Sequence, residues 1–333
     1  MLDGKKILIT GGTGSLGQAL TKRLLSQNVE QIRIFSRNES KQIQMESNFS
    51  DDRLRFFVGD IRDLPRLTRA IENVDIVFHT AALKHVPKIE YNPFEAIKTN
   101  VHGSQNVIDA CLSENVEKAI CIGTDKAVSP LNTYGATKLL MEKLFVTAGN
   151  YLDSKLHQTK FIAVRYGNVL GSSGSVIPKF IEQIKQKQKI TITDPQMTRF
   201  SISMDEALDF IFYAQEIGQG SEIFLPKLKA YSLETVKNAL FELLENTGEI
   251  NIGIREGEKL HETLINSDEI NYAWDLDHVY MVYNQRGYSD EKIKQLYPNS
   301  MKINSMTQYS SNTVEKISKE DMKKIIQNAN LLN

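Results

Sequence analysis

The chain is short of cysteine, of net charge and of long apolar runs. Its 333 residues include 2 cysteines, Cys111 and Cys121. Both lie in apolar segments, which excludes a disulfide-stapled framework and reads as buried thiols in a reducing compartment. No paired Cys/His spacing points to structural zinc, so no metal site is expected. With 40 Lys+Arg against 41 Asp+Glu, the formal net charge is -1. No bulk field therefore favours nucleic acid or an anionic membrane as a partner. Met1-Leu2-Asp3-Gly4-Lys5-Lys6 has no signal-peptide pattern, and no apolar stretch is long enough to span a bilayer. The expectation is a cytoplasmic protein. Neither an internal repeat nor a low-complexity tract is visible.

What is present is a strand–helix alternation. Residues 6–10 read as a first strand, followed by Gly11-Gly12-Thr13-Gly14-Ser15-Leu16-Gly17 and a helix from about Gln18 to Ser26. Glycines at this spacing allow a tight turn, backbone approach to a pyrophosphate and close helix–strand packing. The helix N-terminus offers amide donors to phosphate. Gly11, Thr13, Gly14, Ser15, Leu16 and Gly17 are thus expected to hold a dinucleotide. The second strand, 31–35, runs into Ser36-Arg37-Asn38-Glu39-Ser40-Lys41. An NAD site would carry an acid at this strand end, for the ribose hydroxyls. Ser36 with the cations Arg37 and Lys41 suits a ribose phosphate instead, so NADP is the expected cofactor.

Further strands are expected at 54–58, 75–79, 119–123 and 161–165, giving an α/β, Rossmann-like, doubly wound parallel sheet. Asp60, with Ile61 beside it, follows the third strand, placed for an adenine amino group or as a plain turn residue. Thr80-Ala81-Ala82 follows the fourth, small enough for a cofactor to pass, with Ala82 on the cofactor side. Lys84 and His85 come next on a loop. The expected division is 1–170 for the NADP-binding domain and 171–333 for a smaller, mainly substrate-binding part, with some segments returning to the first. The Ser/Gly-rich stretch from Ser172 to Pro178, with Ser173 and Val176, suits a phosphate or sugar contact. Loops at Thr193–Arg199 and Gly253–Lys259 each carry an arginine, and two such loops could clamp a diphosphate. The tail beyond about 285 is polar and weakly patterned.

The densest chemistry lies between Thr124 and Lys138. A hydroxyl, a carboxylate and an amine (Thr124, Asp125, Lys126) sit where a buried strand gives way to loop, at the ligand-binding edge of such sheets. Pro130 and Asn132 mark a turn. Tyr134 then opens a helix to Ala148 on which Tyr134 and Lys138 share one face.

These residues resemble the extended short-chain dehydrogenase/reductases, through Gly11–Gly17, Tyr134-x-x-x-Lys138 and Thr124. Within that family the chain is most similar to the UDP-N-acetylglucosamine 4,6-dehydratases. Thr124-Asp125-Lys126, Ala81–Pro87, Arg165-Tyr166-Gly167-Asn168-Val169, Met197-Thr198-Arg199-Phe200 and Arg255–Lys259 carry that likeness. The last segment has a Glu where relatives often have Pro or His. Tyr134, where membrane-anchored retaining relatives often have Met, resembles the soluble, C5-inverting subgroup that opens pseudaminic acid synthesis.

The resemblance implies UDP-N-acetylglucosamine as substrate and a homo-oligomer, a dimer or hexamer. It implies Tyr134 as base at the carbon 4 hydroxyl, with Lys138 lowering its pKa and both touching the cofactor, and Thr124 bonding near the carbon 4 oxygen. Lys126 would be the base at carbon 5, which requires a neutral amine and hence a depressed pKa. Asp125 would be the acid for the carbon 6 hydroxyl, which requires a held proton. Thr80, Lys84, Asn168, Val169, Val176, Asp194, Arg199, Arg255 and Glu258 would meet the sugar nucleotide. The rivals are a retaining dehydratase, an epimerase or reductase on the same fold, and a non-enzymatic NADP-binding scaffold.

Overall fold

The computed structural model describes residues 2–151, 157–171, 175–283, 289–329 and 331–332. Ser173 lies outside the described residues. Six strands, β1 (Lys6–Thr10), β2 (Gln31–Ser36), β3 (Leu54–Val58), β4 (Ile76–His79), β5 (Lys118–Ile122) and β6 (Lys160–Val164), run parallel in the order β3-β2-β1-β4-β5-β6. Each falls within a residue or so of its expected position. Apolar runs this continuous suit strands covered on both faces. In β1, Leu8 enters one core while Ile7 and Ile9 enter the other, the alternation a pleated strand imposes.

The sheet does not stop at β6. Glu222–Pro226 adds in parallel, then Val279–Tyr283, Ala273–Asp275 and Met301–Lys302 add antiparallel, for ten strands. The parallel sheet expected from sequence thus has an antiparallel edge. Ala273–Asp275 and Val279–Tyr283 are joined by a short turn in which Asp277 takes φ 71°, and so short a connection can only reverse the chain.

Helices α1 (Ser15–Leu25), α2 (Glu39–Phe49) and α3 (Leu64–Ile71) follow β1, β2 and β3. Asn38 and Asp63 cap α2 and α3 by accepting from Lys41 N and Arg66 N. A further core gathers around Phe180, Ile184, Tyr231, Val236 and Leu240. The tail contributes to it: the helix Lys319–Asn328 buries Met322 and Ile326. Their four-residue spacing makes one helical turn, hidden in the sequence among lysines and acids. Among the described residues no helix is long and apolar enough to cross a membrane.

Candidate active site

β1 has β2 on one side and β4 on the other, so the strand order reverses there and a crevice opens at the carboxyl ends. Gly11 turns the chain at φ +67°, and a Cβ there would come within 2.8 Å of the Ala81 backbone. A Cβ on Gly17 would lie 2.5 Å from Gly12, so α1 packs against the loop only with glycine at that place. The resulting cleft, about 730 Å³, is lined by Gly11, Thr13, Gly14, Ser15, Leu16, Gly17, Ser36, Arg37, Lys41, Asp60, Ile61 and Ala82. It also takes Thr80 and Lys84, which the resemblance had placed against substrate. A pyrophosphate fits this cradle, because its walls are backbone amides and side chains would fill it.

Two groups at the cleft have other partners. The Ser36 hydroxyl accepts from Gln42 Nε2 at 2.9 Å. Asp60 accepts from Arg62 at 2.7 and 3.0 Å. Burial works against its charge, but the bonds to Arg62 prevail and hold its pKa low. Asp60 thus lines the cleft as a carboxylate bonded to Arg62, with Arg37 at 3.7 Å.

The second constellation forms where β5 ends. Asp125 N donates to Tyr166 O at 3.1 Å, and a single 3-10 turn, Asp125–Ala127, follows. The Thr124 hydroxyl donates to Asp125 Oδ1 at 2.9 Å, and Lys126 Nζ lies 3.0 Å from the same oxygen. The helix bearing Tyr134 and Lys138 spans Thr133–Thr147, capped by Asn132, which accepts from Gly135 N at 2.8 Å. The Thr124 hydroxyl also acts on the Tyr134 phenol, opposing the rise that burial imposes on its pKa. Lys138 Nζ donates to Ile122 O at 2.6 Å.

Lys126 opens onto a second cleft, about 530 Å³, lined also by Asn168, Val176, Arg199, Arg255, Glu258 and Glu262. Val169 and Asp194 are not among its lining residues. Val169 pairs with Ile202, and Asp194 accepts from Gln196 N at 2.7 Å to hold a turn.

The profile of the polysaccharide biosynthesis protein family matches residues 7–284. The chain belongs to that family. A relative from Campylobacter jejuni subsp. jejuni serotype O:23/36 (strain 81-176), named UDP-N-acetylglucosamine 4,6-dehydratase (inverting), is 49% identical over 85% of this chain and 84% of its own. A UDP-glucose 4-epimerase from Rickettsia felis is 40% identical over 98% of this chain and 97% of its own. The X-ray structure of Pen from Bacillus thuringiensis superposes with TM-score 0.91 and 38% identity, covering 100% of both chains.

Within this family member, the electrostatics revise several expectations. Lys126 was expected to have a depressed pKa. Burial does press against its charge, but the Asp125 and Glu262 carboxylates outweigh burial and raise it. Asp125, wholly buried, is pushed up by desolvation despite the Lys126 ammonium. Lys138 was expected to act on the Tyr134 phenol. Burial raises the Tyr134 pKa, and the cation opposing that rise is Lys126. Lys138 itself is brought down to about 8 by burial.

Arg199 was expected to meet a diphosphate. Its guanidinium lines the second cleft and also donates to Thr198 O at 2.7 Å, Leu260 O at 3.2 Å and Lys259 O at 3.1 Å, securing the 259–262 segment. Arg255 and Glu258 approach each other at 3.5 Å. Asn168 accepts from Lys126 at 3.2 Å.

Three residues had not been read as part of the site. Glu262 lies 3.4 Å from Lys126. Asn132 both caps the helix bearing Tyr134 and donates to Gly257 O at 2.8 Å, tying that helix to the Arg255 loop. Its place in the turn was the one available signal. Asn100, buried in the π-helical segment Ile97–His102, accepts from Leu83 N at 2.8 Å and donates to Thr137 Oγ1 at 3.0 Å.

Proposed function

We propose that the protein is an NADP-dependent, C5-inverting UDP-N-acetylglucosamine 4,6-dehydratase. Its product would be UDP-2-acetamido-2,6-dideoxy-β-L-arabino-hex-4-ulose, the first intermediate of pseudaminic acid synthesis. One observation carries the reading: Thr124, Asp125 and Lys126 form a bonded row at 2.9 and 3.0 Å beside Tyr134, with Lys126 facing a second cleft. Exchange at carbon 4 alone needs the phenol and the hydroxyl. It needs no acid–base pair for carbons 5 and 6. The name of the Campylobacter relative supports the same choice.

The first cleft would hold NADP, with the glycine loop at the pyrophosphate and Arg37 and Lys41 at the ribose phosphate. A bound nicotinamide supplies reversible two-electron oxidation and reduction. Tyr134 takes the proton of the carbon 4 hydroxyl, with Lys126 as the nearby positive charge that favours phenolate. Lys126 then takes the carbon 5 proton, and Asp125 gives its proton to the departing carbon 6 hydroxyl, which leaves as water. Asp125-H beside neutral Lys126 holds as many protons as the ion pair, so one transfer along their 3.0 Å contact interconverts the two forms.

A cytoplasmic homo-oligomer fits this reading. Tyr91 and Phe94, on successive short helices, are 86% and 60% exposed, and Leu140 projects from the Tyr134 helix at 51%.

Incubation with UDP-N-acetylglucosamine in deuterated water, read by proton NMR, tests the proposal. A 4-keto-6-deoxy product with inverted, deuterated carbon 5 is expected. Retained configuration would keep the reaction and overturn the inverting subclass. The 4-epimer without water loss would overturn the dehydratase reading.

A further inference from the structure

Among the described residues, Glu262 is the one acid that touches the Asp125–Lys126 pair from outside its own turn. Its side chain is 3% exposed. Its backbone is pinned: Glu262 N donates to Ser311 Oγ at 2.9 Å, and Glu262 O accepts from Ser311 N at 2.8 Å and Ser310 Oγ at 3.1 Å. The backbone at Glu262 is thereby fixed at the wall of the second cleft, which its buried side chain lines. Oε1 lies 3.4 Å from Lys126 Nζ and 3.8 Å from Arg199 Nε, and Oε2 lies 3.9 Å from Lys259 Nζ. Oε2 accepts no hydrogen bond among the described residues. A buried carboxylate left half-bonded is costly unless its charge is used.

We propose that Glu262 is a positioning residue for the reaction: its pinned carboxylate holds the Lys126 amine against Asp125 and sets how firmly both groups keep their protons. This rests on the dehydratase reading above, in which Asp125 and Lys126 are acid and base.

The charged groups facing Glu262 are Lys126 and Asp125 on the 3-10 turn, Arg199 on the strand Thr198–Ile202, Lys259 on its own segment, and the Tyr134 phenol. Burial raises the Glu262 pKa, but Lys126, Arg199 and Lys259 outweigh that and hold it low, so it is an anion at neutral pH. An anion raises the proton affinity of every titrating neighbour, acid or amine alike. Removing it lowers both. The two limbs of a bell-shaped rate profile then move together toward acid, whichever limb belongs to which group. A residue that merely supported the fold would lower the rate without moving the profile.

The test is the pH dependence of kcat for water elimination in the wild-type protein, Glu262→Gln, Glu262→Asp and Lys259→Gln, with retained cofactor and melting temperature measured alongside. Glu262→Gln should shift both limbs toward acid by roughly one unit or more, the size expected of a charge within about 4 to 6 Å. Glu262→Asp should restore the wild-type profile. Lys259→Gln strips a cation facing Glu262 and should shift both limbs the opposite way, which keeps the proposal testable if Glu262→Gln fails to fold. An unshifted profile in either charge-removing variant, with only KM or the plateau changed, would overturn it. Absence of dehydration by the wild-type protein would instead overturn the function on which it rests.

Discussion

Gly135 and Lys126 meet backbone to backbone. A Cβ built on Gly135 overlaps the Lys126 carbonyl oxygen and comes within 2.9 Å of Pro130 Cβ. The helix carrying Tyr134 can reach the turn carrying Asp125 and Lys126 only because this residue has no side chain. Gly135→Ala is expected to push helix and turn apart, costing about 1–3 kcal/mol as overpacking does. It should also lower kcat by separating the phenol from Thr124. Thermal melting and single-turnover kinetics check the two effects, and an unchanged Tm would show that the helix shifts freely.

Asp125→Asn keeps the size of the side chain and removes the proton that the departing hydroxyl needs. The variant should retain cofactor and lose water elimination by roughly 10²–10⁴-fold, the usual weight of one positioned acid. Product analysis by NMR checks it. Normal dehydration would remove Asp125 from the mechanism.

Arg37 is exposed at the cleft, 3.7 Å from Asp60. If it meets a ribose phosphate, Arg37→Ala should weaken NADP about 10–100-fold, the worth of a charge-assisted bond, and leave NAD nearly unchanged. Calorimetric titration with both dinucleotides decides. Equal losses would mean that Arg37 does not read the phosphate.

His79 is buried between Thr10 Oγ1 at 2.8 Å and Ser104 Oγ at 2.9 Å, its ring stacked on Phe145. Burial lowers its pKa from 6.5 to about 3. In the unfolded chain the ring takes a proton below 6.5, while in the folded protein it stays neutral almost to 3. Its contribution is therefore present above pH 6.5 and is lost as pH falls toward 3. Acidification to pH 4 should cost about 3 kcal/mol from this group. Urea midpoints at the two pH values, for wild type and His79→Gln, check it. The variant should show a flatter dependence.

Arg165 is fully buried and bonded to Glu142 at 2.6 and 2.8 Å and to Glu269 at 2.8 and 2.9 Å. Glu142→Gln leaves part of that cation uncompensated and should cost about 3–5 kcal/mol, read as a fall in urea midpoint. A shift under 1 kcal/mol would show that Glu269 alone suffices.

Much of the fold was legible because it is written locally. The strands from β1 to β6 are rich in apolar residues, continuous in β4 and alternating with polar ones in β2, and the glycine loop and the Thr124–Lys138 stretch are motifs whose members are near neighbours in the chain. The antiparallel edge of the sheet was not legible, since which strand pairs with which depends on residues far apart in sequence. Arg199 shows the same limit in the site. As a sequence it is a loop cation fit for a phosphate. In the fold it still lines the second cleft, but its two terminal nitrogens also hold the carbonyls of 198, 259 and 260.

The sequence by itself determined that an acid and an amine stand side by side after β5, a short turn before a helix on which a phenol and a second amine lie one turn apart, downstream of a dinucleotide loop. Covalent adjacency and helical spacing suffice for that. Only the tertiary structure decided what surrounds them. It brings Glu262 to 3.4 Å from Lys126 and buries Asp125 completely. Proton affinity depends on desolvation and on charges through space, and neither is a property of neighbours along the chain.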